Sequence, residues 1–427
     1  MEGSHKAAIE SALLALVLAS GLILASPEVL LLALPVVVHI MLGLLLAEGS
    51  GSHGRPCLRA ERHLSGHRIY EGDSVEVDLR LENLGEGLDL VLIAEGHELT
   101  EQPIEGATSR AERLPKGGSL LLSYFARPRR GFYPLDRVRV LVRDLLGFMS
   151  WEGELSCPAP LWVLPRYERL PGLRGLSPRR TLPASGTARS RREGVGVQFF
   201  ATRPYIPGDE LRRLNWKALA RRDQPVVNLY EGERAAEVTV VLDGRERAYW
   251  VPGGRELFEH AVRACAALCD GAIREGHRTG LLLYGERLEW VFPSCGRAHR
   301  ERLLQGLARA EMGFSEAFAE LGELPTRLFP SGSPIIIVSP LIPGDEQPLG
   351  MLRARDYDVL VLVLMSNPSP PEAEKADRTP KGLAGRLVAL ERELMLQALI
   401  STGVRVAMWD VNRPLAPALR AAWGRWS

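Results

Sequence analysis

Cysteine is scarce and unpaired in this sequence. Five cysteines, Cys57, Cys157, Cys265, Cys269 and Cys295, are scattered through 427 residues with no Cys-x-x-Cys among them. An odd, dispersed set argues against a disulfide framework or a zinc ribbon, and a reducing compartment is the simplest setting. Cys265 and Cys269 fall one turn apart among Ala and Leu, so they are expected as small buried hydrophobes. There is no G-x-x-x-x-G-K-[ST] phosphate loop, no H-E-x-x-H and no G-x-S-x-G elbow. His260, His277 and His299 are scattered and read as surface or structural groups. A net charge of +1 gives no global attraction to nucleic acid, and none is expected as a partner. The remainder is globular in composition, with 46% hydrophobic and 25% charged residues, and too long for one ordinary core.

Long apolar runs are present at one end only. Residues 7–25 and 29–47 each approach the length that crosses a ~30 Å hydrocarbon core. Glu10 and His39 are the only strongly polar side chains inside them, and Ser26-Pro27-Glu28 makes the turn between. The expectation is a transmembrane helical hairpin over residues 1–54, anchored in the lipid bilayer of the cell membrane. Arg55, Arg59, Arg62 and Arg68 follow the second run. By the positive-inside rule, they place the N-terminus and the large C-terminal part in the cytoplasm. A cleaved signal peptide is the competing reading, but its basic leader is reduced to Lys6 and a second apolar run follows at once.

The pattern then changes to alternation. Val75, Val77, Leu79 and Leu81 alternate with Glu76, Asp78 and Arg80, and Val138, Val140 and Val142 alternate with Arg139, Leu141 and Arg143. Further short candidates are 88–93, 120–125 and 161–164, with Gly- and Pro-bearing turns between. Such spacing predicts a small antiparallel β-sandwich over 55–169. Residues 170–193, rich in Arg, Pro, Gly and Ser, read as a linker whose arginines either touch anionic headgroups or are solvated.

From Glu237 strands and helices alternate. Strands are predicted at 238–242, 280–284, 288–292, 334–338, 359–365 and 404–409. Helices are predicted at 257–273, 300–310, 383–400 and 415–423. Strands this apolar imply a mainly parallel sheet covered on both faces, with ligands at the carboxyl ends of its strands, where Asp243 lies.

The densest pattern is the run from Arg203 to Arg221. Pro207-Gly208 is a turn dipeptide and Asp209 an N-cap candidate for a helix starting at Glu210. Leu211, Leu214, Ala218 and Leu219 recur at helical spacing, while Arg213, Lys217 and Arg221 stand four apart as a cationic stripe. The stripe is either a solvated face or a contact surface for acidic groups.

This run closely resembles the signature of the family known as domain of unknown function 58. Arg203, Tyr205, Pro207, Gly208, Asp209, Arg212, Asn215, Trp216, Ala220 and Arg221 stand at the signature positions. Gln198-Phe199 stands where the family usually has Glu-Phe, and Pro204 where it usually has Glu. The segments 129–133 and 144–148 resemble two of its secondary motifs. The resemblance implies a membrane-anchored protein with an immunoglobulin-like module and, over 194–427, the signature segment followed by a von Willebrand factor A-like α/β domain. It also implies a MoxR-type AAA+ ATPase as partner, in assembly or maturation of other complexes. Domains of von Willebrand factor A type often hold Mg²⁺ through Asp-x-Ser-x-Ser. Here Asp243-Gly244-Arg245-Glu246-Arg247 puts arginine at both serine places. No metal or other cofactor is therefore expected, and an Asp243–Arg ion pair is the physical substitute. The leading expectation is a non-enzymatic interaction scaffold, with Asp209 capping the signature helix and Trp216 anchoring it. Arg212, Arg213 and Arg221 would then meet acidic groups. One alternative is a hydrolase or transferase acting on a phosphorylated substrate through Asp209, Asp243 and nearby arginines. Another is a structural subunit of a membrane complex.

Overall fold

The computed structural model describes residues 5–49, 56–95, 99, 103–144, 150–171, 182–183, 189–222, 224–235, 237–315, 321–324, 329, 332–365 and 380–423. The chain divides into two compact units, Met1–Leu164 and Pro165–Ser427.

The first unit opens with three helices, α1 (His5–Ile23), α2 (Pro27–Leu31) and α3 (Ala33–Gly49). Among the described residues no helix is long and apolar enough to cross a membrane. This overturns the expected two-span hairpin, and with it the cell-membrane placement and orientation. The physical reason is length. The first run stops at Ile23 and the second is broken at Leu32. The 17 residues of α3 rise only about 25 Å, short of a ~30 Å core. Glu10 and His39 approach each other at 3.5 Å across α1 and α3. Leu16, Leu22 and Leu34 are exposed.

Eleven strands follow among the described residues: β1 (Leu58–Leu64), β2 (Arg68–Tyr70), β3 (Val75–Asn83), β4 (Leu88–Ala94), β5 (Pro103–Gly106), β6 (Ser109–Leu114), β7 (Ser119–Ala126), β8 (Gly131–Tyr133), β9 (Arg137–Arg143), β10 (Ser150–Ser156) and β11 (Leu161–Leu164). They form sheets β1-β3-β7-β5 and β10-β9-β4-β6, both antiparallel, and a small sheet β2-β11-β8. Alternation fixes the faces: Val75, Val77, Leu79 and Leu81 all point inward. Leu79, Leu81, Leu120 and Leu122 of the first sheet share one core with Val91, Ile93, Val138, Val140 and Val142 of the second. Each such side chain contributes roughly 1.5–3 kcal/mol on burial.

The second unit begins at Pro165, ahead of the segment 170–193 expected as a linker, and takes that segment in. Its described residues include β12 (Leu182–Pro183) and the start of β13 (Arg189–Pro204). The other predicted linker positions between 172 and 188 lie outside the described residues. Strand β13 pairs antiparallel with β14 (Val226–Ala235), and helix α4 (Trp216–Arg222) lies in the connection between them. Then come β15 (Glu237–Asp243), α5 (Gly254–Arg274), β16 (Arg278–Tyr284), β17 (Leu288–Ser294), α6 (Arg297–Arg309), β18 (Pro334–Ser339), α7 (Glu346–Ala354), β19 (Asp358–Met365), α8 (Pro380–Ser401), β20 (Arg405–Asp410) and α9 (Leu415–Trp423). The six-stranded sheet runs β17-β16-β15-β18-β19-β20, parallel throughout except for β17. The chain leaves β15 toward β16 on one side and later returns to β18 on the other. The crevice outside the carboxyl ends of β15 and β18 is therefore the switch point of the sheet, where side chains from two loops converge.

Candidate functional site

The apolar runs of β15 and β18 end at Asp243 and Ser339, and their parallel register brings these ends side by side. Gly244 then makes a backbone contact that needs glycine at position 285. Its carbonyl accepts the Gly313 amide at 3.0 Å, and a Cβ on Gly285 would lie 2.6 Å from the Gly244 oxygen. This close backbone packing turns the chain so that Arg245 points back over the strand ends.

The Arg245 guanidinium lies between two carboxylates. Its Nε donates to Asp243 Oδ1 at 3.0 Å and its Nη2 to Asp243 Oδ2 at 2.8 Å. Toward Asp345, Nη1 donates to Oδ1 at 3.0 Å and Nη2 to Oδ2 at 2.8 Å. The three side chains are 3%, 0% and 4% exposed for Arg245, Asp243 and Asp345. Remaining acceptor capacity is met by neutral donors. The Arg245 amide reaches Asp243 Oδ1 at 3.0 Å, the Ser339 hydroxyl reaches Asp243 Oδ2 at 2.6 Å, and the Ile342 amide reaches Asp345 Oδ2 at 2.9 Å. The Tyr249 hydroxyl donates to the Asp243 carbonyl at 2.8 Å.

Electrostatics follow from this geometry. Burial alone would weaken the Arg245 proton, but Asp243 and Asp345 outweigh it and hold the guanidinium above its ordinary pKa. Burial pushes the Asp345 carboxyl up, against the pull of Arg245. All four carboxylate oxygens accept N–H or O–H donors, so the donor set does not fit a hard dication, which would have to displace a charged side chain already in place. Arg247 is exposed in the turn that follows.

The signature residues form a separate network. Arg203, near the end of β13, clamps Asp209 with two bonds of 2.7 Å, and the Ile206 amide donates to Asp209 Oδ2 at 2.9 Å. Asp209 thus closes the Pro207-Gly208 turn, where Gly208 has φ +111°. It does not cap a helix. The expected helix from Glu210 is a 3-10 turn over Leu211–Arg213, and α4 starts only at Trp216. Asn215 is the cap: its Oδ1 accepts the Ala218 amide at 3.0 Å, while its Nδ2 donates to Asn228 on β14 at 2.9 Å. The sequence reading missed this because Asp209 and Asn215 are both good cap residues, and a partner for Asp209 six positions upstream leaves no local signal. Arg212 and Arg213 both pair with Glu210, at 2.7 and 3.1 Å. Lys217 and Arg221 are exposed, and Trp216 is 62% exposed, so it does not anchor the helix as expected. Tyr205 is half-buried and its amide donates to the Pro225 carbonyl at 2.9 Å.

The Arg203 hydrogen bonds, with the Ile206 amide, lower the Asp209 pKa from 3.8 to about 2. A depressed carboxylate stabilises the fold above its unfolded value, and that contribution fades as pH falls through its folded one. Amide exchange at Ile206, corrected for intrinsic rates, is therefore expected to accelerate several-fold on acidification through this window. Asp209→Asn should remove the pH step, and an unchanged step in that variant would refute the assignment.

Residues 201–365, from the signature to the end of β19, match the family described as Protein of unknown function DUF58. The Uncharacterized protein YeaD of Bacillus subtilis (strain 168) is 27% identical over 204 residues, which are 45% of this chain and 46% of that protein. The Uncharacterized protein Rv1480 of Mycobacterium tuberculosis (strain ATCC 25618 / H37Rv) is 30% identical over 116 residues, 27% of this chain and 37% of its own. The match thus spans less than half the length of these curated relatives. Among solved structures, proximal thread matrix protein 1 from the mussel byssus aligns over 44% of this chain and 47% of its own, at 11% identity and a TM-score of 0.29. A likeness that weak says nothing further about this molecule. Through its signature and the strands that follow, the segment 201–365 of this chain is similar to the DUF58 family.

Proposed function

We propose that the second unit is a docking domain for other polypeptides. It would be built like a von Willebrand factor A domain and preceded by an immunoglobulin-like module. It would work with a MoxR-type AAA+ ATPase in assembling or maturing other complexes, without catalysing a reaction itself. One observation carries this reading: the buried Arg245 guanidinium holds Asp243 and Asp345 together at the switch point, where a divalent cation would otherwise bridge hard oxygen ligands. A covalently attached cation cannot be chelated or exchanged, so docking would not depend on metal. The same pairings weigh against a hydrolase or transferase. Asp209 is bonded to Arg203, and Asp243 and Asp345 to Arg245, so none of these acids stands free to move a proton.

The test is capture of a purified MoxR-type ATPase by the immobilised full chain, without nucleotide. Retention in EDTA is expected to match retention in millimolar Mg²⁺ within about twofold, since no coordinated ion contributes. Capture abolished by EDTA and restored by Mg²⁺ would overturn the metal-independent reading. No capture in either buffer would overturn the partner.

A further inference from the structure

Among the described residues, Arg392 at the strand ends has no carboxylate as counter-charge. Arg392, on α8, reaches the carboxyl ends of β18 and β19. Its Nη2 donates to the Leu364 carbonyl at 2.7 Å and to the Pro340 carbonyl at 3.4 Å. Its Nε is buried and bonded to nothing, and no carboxylate among the described residues pairs with it. Burial accordingly pulls its pKa below the ordinary arginine value. Two neutral carbonyls leave the full positive charge in place, and half-burying such a charge is unfavourable unless something compensates it.

Its surroundings are held in an unusual state. The Leu341 backbone has φ +63°, the left-handed region that costs a branched side chain energy. The Pro340–Leu341 peptide is engaged at both ends: its N–H donates to Ser339 Oγ at 2.9 Å, while its C=O faces Arg392. Ser339 in turn bonds Asp243, so Arg392 stands beside the Arg245 network. The loop after β15, at the same end of the sheet, exposes Arg247 and Trp250, the latter 72% exposed. Arginine and tryptophan are the side chains that most often dominate docking energetics.

We propose that Arg392 recognises a carboxylate, the Asp or Glu side chain of a partner polypeptide. The long contact to the Pro340 carbonyl is the one that gives way, and a carboxylate takes its place in a charge-assisted pair. Arg245 cannot serve, because its donors are already engaged by Asp243 and Asp345. The proposal rests on the docking reading above and names the partner chemistry that this reading leaves open.

The experiment uses the full chain and two probes at fixed ionic strength, acetyl-triglutamate amide and acetyl-triglutamine amide. The readout is the Nε–Hε NMR signal of Arg392, assigned by its loss in Arg392→Gln. The glutamate peptide is expected to shift the signal saturably. The glutamine peptide is expected to bind at least about tenfold more weakly, the scale of one charged hydrogen bond. In Arg392→Gln, glutamate-peptide binding measured by calorimetry should fall by the same factor. A non-saturable shift, or equal shifts from both peptides, would overturn the proposal. So would inorganic phosphate moving the signal where the glutamate peptide does not. If Arg392→Gln fails to fold, the two peptides on the unaltered chain still decide, with the signal assigned from the backbone. Metal-independent ATPase capture can persist with Arg392 silent, and this proposal would then fall while the docking reading stands.

Discussion

Arg245→Met is expected to lower the stability of the α/β unit by about 3–5 kcal/mol, the usual scale for removing one partner of a buried ion pair. The reason is charge, not volume. Methionine fills much of the same space, but Asp243 and Asp345, buried at 0% and 4% exposure, would face each other with no cation between them. Neutralising both in Arg245→Met/Asp243→Asn/Asp345→Asn should recover most of the loss, because the remaining polar atoms keep the Ser339 and Ile342 donors. Arg245→Ser tests the same point differently. It leaves two carboxylates and two hydroxyls facing one space, so millimolar Mg²⁺ is expected to restore part of its stability and to do nothing for the unaltered chain. Urea unfolding followed by hydrogen exchange on β15 and β18 reads both effects locally. A loss below about 1 kcal/mol would mean that the carboxylates are solvated or already neutral. The pH response adds a sign. The folded Asp345 pKa is raised, so the native state keeps that proton longer than the unfolded chain does. Its contribution is full below the unfolded value, about 3.9, and declines as pH rises through the folded one.

How much of this was readable beforehand depends on how local each cause is. The strands of the six-stranded sheet are continuous apolar runs, and each predicted stretch from Val238 to Trp409 overlaps a strand. Helix α7 is not legible in the sequence, because its short Glu346–Ala354 stretch carries a proline and buries only Leu349 and Leu352. Strand β10 (Ser150–Ser156) was also missed, since alternating Trp151, Gly153 and Leu155 with Glu makes a weak pattern. At the site, Asp243 and Arg245 could be paired on sequence, being two residues apart. Asp345 lies 100 residues from Arg245, and only the β15–β18 register brings it in. Arg392 carried no signal, because nothing in a helical heptad shows that one arginine ends against strand carbonyls. The apolar N-terminal runs show the converse: composition suggested two spans, but Leu32 interrupts the second helix.

Arg62 gives the second large effect, and a larger correction. Its place after the second apolar run suggests a basic flank of a membrane span, but its side chain is wholly buried in the first unit, 0% exposed. Its Nε and Nη2 donate to the two Glu95 oxygens at 3.1 and 2.9 Å, and the remaining donors reach the carbonyls of Leu135, Arg137 and Cys157. Arg62 belongs to β1, while Arg137 belongs to β9 and Glu95 directly follows β4, so one guanidinium ties the two main sheets together. A sequence cue existed: Leu58, Ala60 and Leu64 alternate inward along β1, and Arg62 falls on their face. Arg62→Met is expected to cost about 3–5 kcal/mol, because it strands Glu95 and three carbonyls in a dry interior. Arg62→Met/Glu95→Leu should return part of that, leaving the carbonyls as the residual loss. Hydrogen exchange in β3 and β9 separates this from events in the α/β unit: protection in both strands should fall together, since the clamp spans both sheets. A loss confined to β1 would show that Arg62 merely fills its own strand.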